Sequence, residues 1–162
     1  MEDRKIGVAI THGDTNGIGY EVIFKAFEDP MMLDLCTPII YGSPKVASFH
    51  RKAMNLETPF SIIGSAEDAR EGKLNLLATF DDEVKVELGV PTDESAEAAR
   101  KAMQRAKEDL QKGLYDVLVL APVRPNPNPA KEDKSLLVML GDRVRIGLVT
   151  NHLPIKDVAQ AL

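Results

Sequence analysis

The chain has 162 residues, 44% of them hydrophobic, and its 20 basic and 25 acidic side chains leave a net charge of −5. That length buries a core without covalent staples, and the lone Cys36 cannot form an internal disulfide. There is no basic stripe with interleaved aromatics for nucleic acid, and no apolar run near the ~20 residues of a membrane span. The charged start Met1-Glu2-Asp3-Arg4-Lys5 is no signal peptide. A cytoplasmic protein with no nucleic-acid or membrane partner is expected, with Cys36 a small buried hydrophobe.

Residues 6–10 read as a buried first strand, followed by the glycine-rich turn Gly13-Asp14-Thr15-Asn16-Gly17-Ile18-Gly19. A helix with Val22, Ile23, Ala26 and Phe27 on one face comes next, closed near Asp29-Pro30. Residues 37–41 form a second strand stopped by Gly42, and Ser43-Pro44 pairs an N-cap with a first-turn proline to open a helix reaching about residue 54. Short strands are expected at 59–63, 74–80 and 84–88, the last alternating as an edge strand does, with a helical turn or two at 66–71. Pro91-Thr92 opens the clearest helix, 93–112, with Ala99, Met103, Ala106 and Leu110 at helical spacing, Ala96 and Ala102 beside them, and Gly113 as C-cap. Residues 115–121 read as the most strongly buried strand, Gly141-Asp142-Arg143 as a hairpin turn between strands 136–140 and 144–150, and 154–162 as a final amphipathic helix.

Strands alternating with helices predict a three-layer α/β sandwich with a mostly parallel sheet and one local antiparallel hairpin. The whole chain, 1–162, is expected to be one domain, with an extended Pro-Asn connector at 124–134. The first turn is the most informative place for chemistry. A strand, Gly13-Asp14-x-x-Gly17-x-Gly19, and then a helix can present backbone N–H groups to an anion or to NAD. The spacing matches neither the dinucleotide fingerprint nor a Walker loop, and a plain tight turn capped by Asp14 or Asn16 fits as well.

The segment Thr11-His12-Gly13-Asp14-Thr15-Asn16-Gly17-Ile18-Gly19-Tyr20-Glu21 resembles the signature Gly-Asp-Pro-Ala-Gly-Ile-Gly-Pro-Glu of the 4-hydroxythreonine-4-phosphate dehydrogenase family of vitamin B6 synthesis, with departures at Thr15, Asn16 and Tyr20. Similar matches occur at Leu35-Cys36-Thr37-Pro38-Ile39-Ile40-Tyr41-Gly42-Ser43, Asp116-Val117-Leu118-Val119-Leu120-Ala121-Pro122-Val123, and Arg143-Val144-Arg145-Ile146-Gly147-Leu148-Val149-Thr150-Asn151-His152-Leu153-Pro154. The resemblance implies a fragment like isocitrate and isopropylmalate dehydrogenases. It also implies a metal- and NAD-dependent oxidation of an alcohol followed by decarboxylation. It makes His152 one of three metal-binding histidines, whereas His12 and His50 match neither of the others. The family's Gly-His-Thr motif has no counterpart, and its lysine position falls at Arg124 or Pro125.

One inherited imidazole is too few for a catalytic divalent ion, which takes about three protein ligands. The expectation is therefore a trimmed, noncatalytic domain, engineered rather than a natural paralogue, with no catalytic residue, no cofactor of its own and the family substrate unbound. A homodimer is one possible assembly. Two alternatives stay open: a residual NAD- or anion-binding module at Gly13, Asp14, Gly17 and Gly19, and an active dehydrogenase completed by a second chain.

Overall fold

The computed structural model describes residues 5–80, 84–123, 137–150 and 154–161. The chain divides into two units, Met1–Pro125 and Asn126–Leu162. In the first unit the elements run β1 (Ile6–Thr11), α1 (Gly19–Ala26), α2 (Met32–Leu35), β2 (Cys36–Gly42), α3 (Pro44–Ala53), β3 (Ser61–Ile63), a 3₁₀ turn at Ala66–Asp68, β4 (Asn75–Ala78), α4 (Asp93–Gln111) and β5 (Val117–Leu120). The strands form one sheet in the order β3-β4-β2-β1-β5, and every neighbouring pair is parallel.

Alternation along the strands sends side chains to two different covers. On one face Ile10, Ile40 and Leu76 meet Tyr20, Ile23, Phe24 and Phe27 from α1 and its end, with Val46 and Ala47 of α3. On the other, Ala9, Ile39, Tyr41 and Leu77 meet Ala102 and Ala106 of α4. The expected three layers are present. Helix starts follow their local signals: the Ser43 side chain accepts from the Val46 N–H ahead of Pro44, and Thr92 and Ser95 form a reciprocal capping box at α4.

The second unit holds β6 (Leu137–Leu140), β7 (Arg145–Leu148) and α5 (Ile155–Ala161). The hairpin is antiparallel, with Leu140 opposite Arg145, as the turn at 141–143 predicts. Among the described residues no helix is long and apolar enough to cross a membrane.

Several expectations are corrected. Residues 84–88 form no strand. Their alternation is real, because Val84 and Val86 pack against the α1 and α3 cluster while Lys85 and Glu87 point out, but no neighbouring strand pairs with them. In α1, Val22 and Ala26 are exposed, and the buried stripe is Tyr20, Ile23, Phe24 and Phe27. In α4, Ala96 and Leu110 are exposed, and the buried face is Ser95, Ala98, Ala99, Ala102, Ala106 and Asp109. β5 pairs only with β1 among the described strands, and Val117, Val119 and Leu120 stand 45–51% exposed. Val117 and Val119 lie beside Val8 and Ile10, beyond the reach of the α1 and α3 cover, which includes no β5 residue. Cys36 is half-buried at the start of β2; burial raises its thiol pKa, with Lys5 opposing.

Candidate functional site

The first turn lies at the carboxyl end of β1, between β2 and β5. Gly13 adopts φ +72°, a left-handed conformation that glycine takes without strain, and an added Cβ would run into the Pro122 carbonyl oxygen. The Asp14 N–H donates to that same carbonyl at 3.2 Å, and Ala121 N–H donates to Thr11 O at 3.2 Å, so the turn is stitched to the chain leaving β5. A Cβ on Gly19 would strike the His12 carbonyl oxygen. Both glycines are therefore required by approach of the chain's own backbone. Gly17 is different: its nearest neighbours would be Asp14 atoms at 3.4–3.5 Å, an ordinary contact.

Asp14 Oδ1 accepts from the Asn16 N–H at 2.8 Å, and Gly17 N–H donates to Asp14 O at 3.0 Å, closing the turn locally. Asn16, only 3% exposed, reaches the other way. Its Oδ1 accepts from Glu87 N–H at 2.9 Å, its Nδ2 donates to Val90 O at 2.7 Å and to Thr92 Oγ1 at 3.4 Å, and its carbonyl accepts from Gly89 N–H at 2.8 Å. One amide thus joins the first turn to the N-cap of α4.

Behind the turn sits a run of rings absent from the sequence expectations. His12 stacks on Tyr20 with centroids 5.0 Å apart and meets Phe80 edge-on at 5.9 Å, while Tyr20 also stacks with His50 at 5.2 Å. Tyr20 Oη accepts from Ser43 N–H at 3.1 Å, and His50 Nε2 lies 2.7 Å from the Thr15 carbonyl, to which it donates in the matching tautomer. Burial lowers the His12 pKa to about 4, against the opposing influence of the Gly13 backbone and Asp14. Burial lowers that of His50 too, opposed first by its bond to Thr15, and raises that of Tyr20 far above its ordinary value. Both imidazoles are thus neutral near pH 7. The side chains of Thr11, His12 and Thr15 are buried with no well-formed hydrogen bond to a described residue.

The opposite face holds a second polar constellation. Asp109, fully buried near the end of α4, accepts from Tyr41 Oη at 3.0 Å and from Arg105 at 3.1 Å, with Lys112 Nζ at 3.5 Å. Tyr115 Oη donates to the Ala106 carbonyl, and burial followed by the Asp109 charge pushes its pKa up to about 12.

Of the residues picked out by sequence, Gly13, Asp14, Gly17 and Gly19 come together in this turn, and His152 lies outside the described residues. The ring cluster and the Asn16 tie were missed as functional features. Their one visible signal was departure from the family pattern, since Thr15, Asn16 and Tyr20 are three members of the assembly.

The architecture is that of the 4-hydroxythreonine-4-phosphate dehydrogenases. The solved structure from Burkholderia phymatum aligns with a TM-score of 0.80 at 22% identity, over 98% of this chain and 53% of its own. That from Klebsiella pneumoniae aligns with a TM-score of 0.77 at 15% identity, over 100% of this chain and 55% of its own. These define the class: an α/β unit with a dehydrogenase fold. The family model described as "Pyridoxal phosphate biosynthetic protein PdxA" matches residues 34–127, and the chain belongs to the PdxA family. A 4-hydroxythreonine-4-phosphate dehydrogenase of Bacteroides thetaiotaomicron is 43% identical over 100% of this chain and 49% of its own length, and one of Aquifex aeolicus is 26% identical over 96% and 52%. The resemblance read from the motifs is confirmed. The chain spans about half the length of the curated relatives it matches.

Proposed function

We propose that this chain supplies the amino-terminal scaffold of a 4-hydroxythreonine-4-phosphate dehydrogenase and does not oxidise that substrate with its own residues. The observation that carries the reading is the internal use of the first turn. Backbone fills the space beside Gly13 and Gly19, and the Asn16 amide bonds to residues 87, 90 and 92. The two described histidines do not fit a catalytic divalent centre, which takes about three protein donors around an open position. His50 Nε2 is held by the Thr15 carbonyl, and His12 is sealed between aromatic rings. His152 is proposed only as a single inherited ligand. The free Cys36 supports a reducing, cytoplasmic setting, and the exposed Val117, Val119 and Leu120 offer a surface for a homodimer.

The test is an NADH absorbance assay on the isolated chain with 4-hydroxythreonine 4-phosphate, NAD and Mg²⁺, Co²⁺ or Zn²⁺. A flat trace is expected, and steady NADH formation overturns the proposal.

A second reading gives Gly13, Asp14, Gly17 and Gly19 weak affinity for an anion or NAD. It is favoured by the start of α1, where Ile18 provides no side-chain cap, and opposed by the carboxylates of Asp14 and Glu21 nearby.

A further inference from the structure

Residues 84–92 cross the aromatic side of the first unit without secondary structure, and their attachments are few. Two are apolar: Val84 and Val86 rest against the cluster that contains Tyr20. Among the described residues, every hydrogen bond from 86–92 to a part of the chain outside 84–96 ends on Asn16. The remaining ones are local, from Val90 N–H to Glu87 O at 3.0 Å, from Ala96 N–H to Thr92 O at 3.1 Å, between the Lys85 and Glu87 side chains at 2.9 Å, and within the Thr92 box. Leu88, Gly89, Val90 and Pro91 are exposed, and Gly89 takes φ +78°, a conformation suited to a pivot. Tyr20 belongs to that cluster and stacks on His12, whose two ring nitrogens are buried without a well-formed partner.

We propose that residues 84–92 are a hinged strap, that the Asn16 side chain is its latch, and that opening it exposes His12. A segment tied at one residue opens at a lower free energy than the sheet it covers, because few contacts break together. Losing the amide removes bonds to Glu87, Val90 and Thr92 in one step. Each typical bond contributes enough that the open population should rise tenfold or more. The strap restricts access to an otherwise unemployed neutral imidazole, which is a cryptic site in the first unit.

The test compares the unaltered chain with Asn16→Ala. Diethyl pyrocarbonate acylates an unprotonated imidazole nitrogen, releasing ethanol and carbon dioxide, and peptide mass spectrometry reads each histidine separately. The proposal expects His12 to react slowly in the unaltered chain and at least tenfold faster in Asn16→Ala, with a smaller change at His50. It is overturned by His12 reacting at the rate of free imidazole in the unaltered chain. No gain in the variant, or an equal gain at His50 with loss of protection throughout the sheet, overturns it as well. Should Asn16→Ala fail to fold, hydrogen exchange on the unaltered chain decides. The Glu87 and Gly89 amides should exchange at least tenfold sooner than those of β1 and β2, and equal protection refutes a separately opening strap.

Discussion

The two faces of the five-stranded sheet solve the same packing problem with opposite materials. The α1 and α3 face is built from large rings, Tyr20, Phe24 and Phe27, and encloses His12 and His50 among them. The α4 face is built from Ala98, Ala99, Ala102 and Ala106, and carries its polar load at one end, where Asp109 meets Tyr41, Arg105 and Lys112. Rings bury more area per residue but leave space in which a polar ring can be trapped without partners. Alanines bring the helix close to the strands and leave polar atoms only where the helix ends. One face should therefore be sensitive to lost volume and to acid, and the other to added volume and to loss of a single carboxylate.

The largest expected effect is on the ring face. Phe24, fully buried between Tyr20 and Phe60, should cost about 3–5 kcal/mol when changed to Ala, read as a shift of the urea midpoint. A loss below 1 kcal/mol would mean that this face collapses around the gap. The acid response comes next. The folded pKa of His12, about 4, lies below the ordinary 6.5, so its contribution is complete above pH 6.5 and is lost as pH falls towards 4. The size is roughly 3 kcal/mol at most, and the lowered pKa of His50 adds in the same direction. His12→Phe keeps a ring in place and should flatten this part of the stability-versus-pH curve. An unchanged slope would assign the acid response elsewhere.

On the alanine face, Asp109→Ala should cost about 1–3 kcal/mol by leaving the buried Tyr41 hydroxyl without its acceptor. Tyr41→Phe in the same background should recover part of that loss. The smallest effect belongs to the start of α4: Thr92→Ala should cost about 1 kcal/mol in thermal or urea unfolding, because it removes the acceptor for Ser95 N–H and a contact to Asn16.

What could be read in advance divides along similar lines. Ser43-Pro44, Thr92 and Gly141-Asp142-Arg143 give local instructions, and the structure starts or turns its elements at each of them. The buried stripe of α1 runs through Tyr20 and Phe24 rather than Val22 and Ala26, and the Tyr20 ring is wholly enclosed although its hydroxyl is polar. Residues 84–88 show the limit of periodicity. Alternation announces which side chains face inward, but it does not say whether the backbone will bond to a strand or to one asparagine 71 residues earlier. The apolar run 117–120 likewise states what covering a strand can accept, whereas its exposure depends on which neighbours the unit supplies. For the candidate site, the chain order brought Gly13, Asp14, Gly17 and Gly19 into one turn. The long-range partners of that turn, Pro122, Glu87, Gly89 and Val90, carry no sequence mark because each acts through its backbone.

The most direct measurement is a set of amide resonances, those of Gly13, Gly17 and Gly19, followed while NAD or inorganic phosphate is titrated to millimolar concentration. If the turn serves the fold through its own internal contacts, the three signals stay in place throughout. Saturable movement of all three, with neighbouring α1 amides following, would contradict that account and make the turn a ligand cradle.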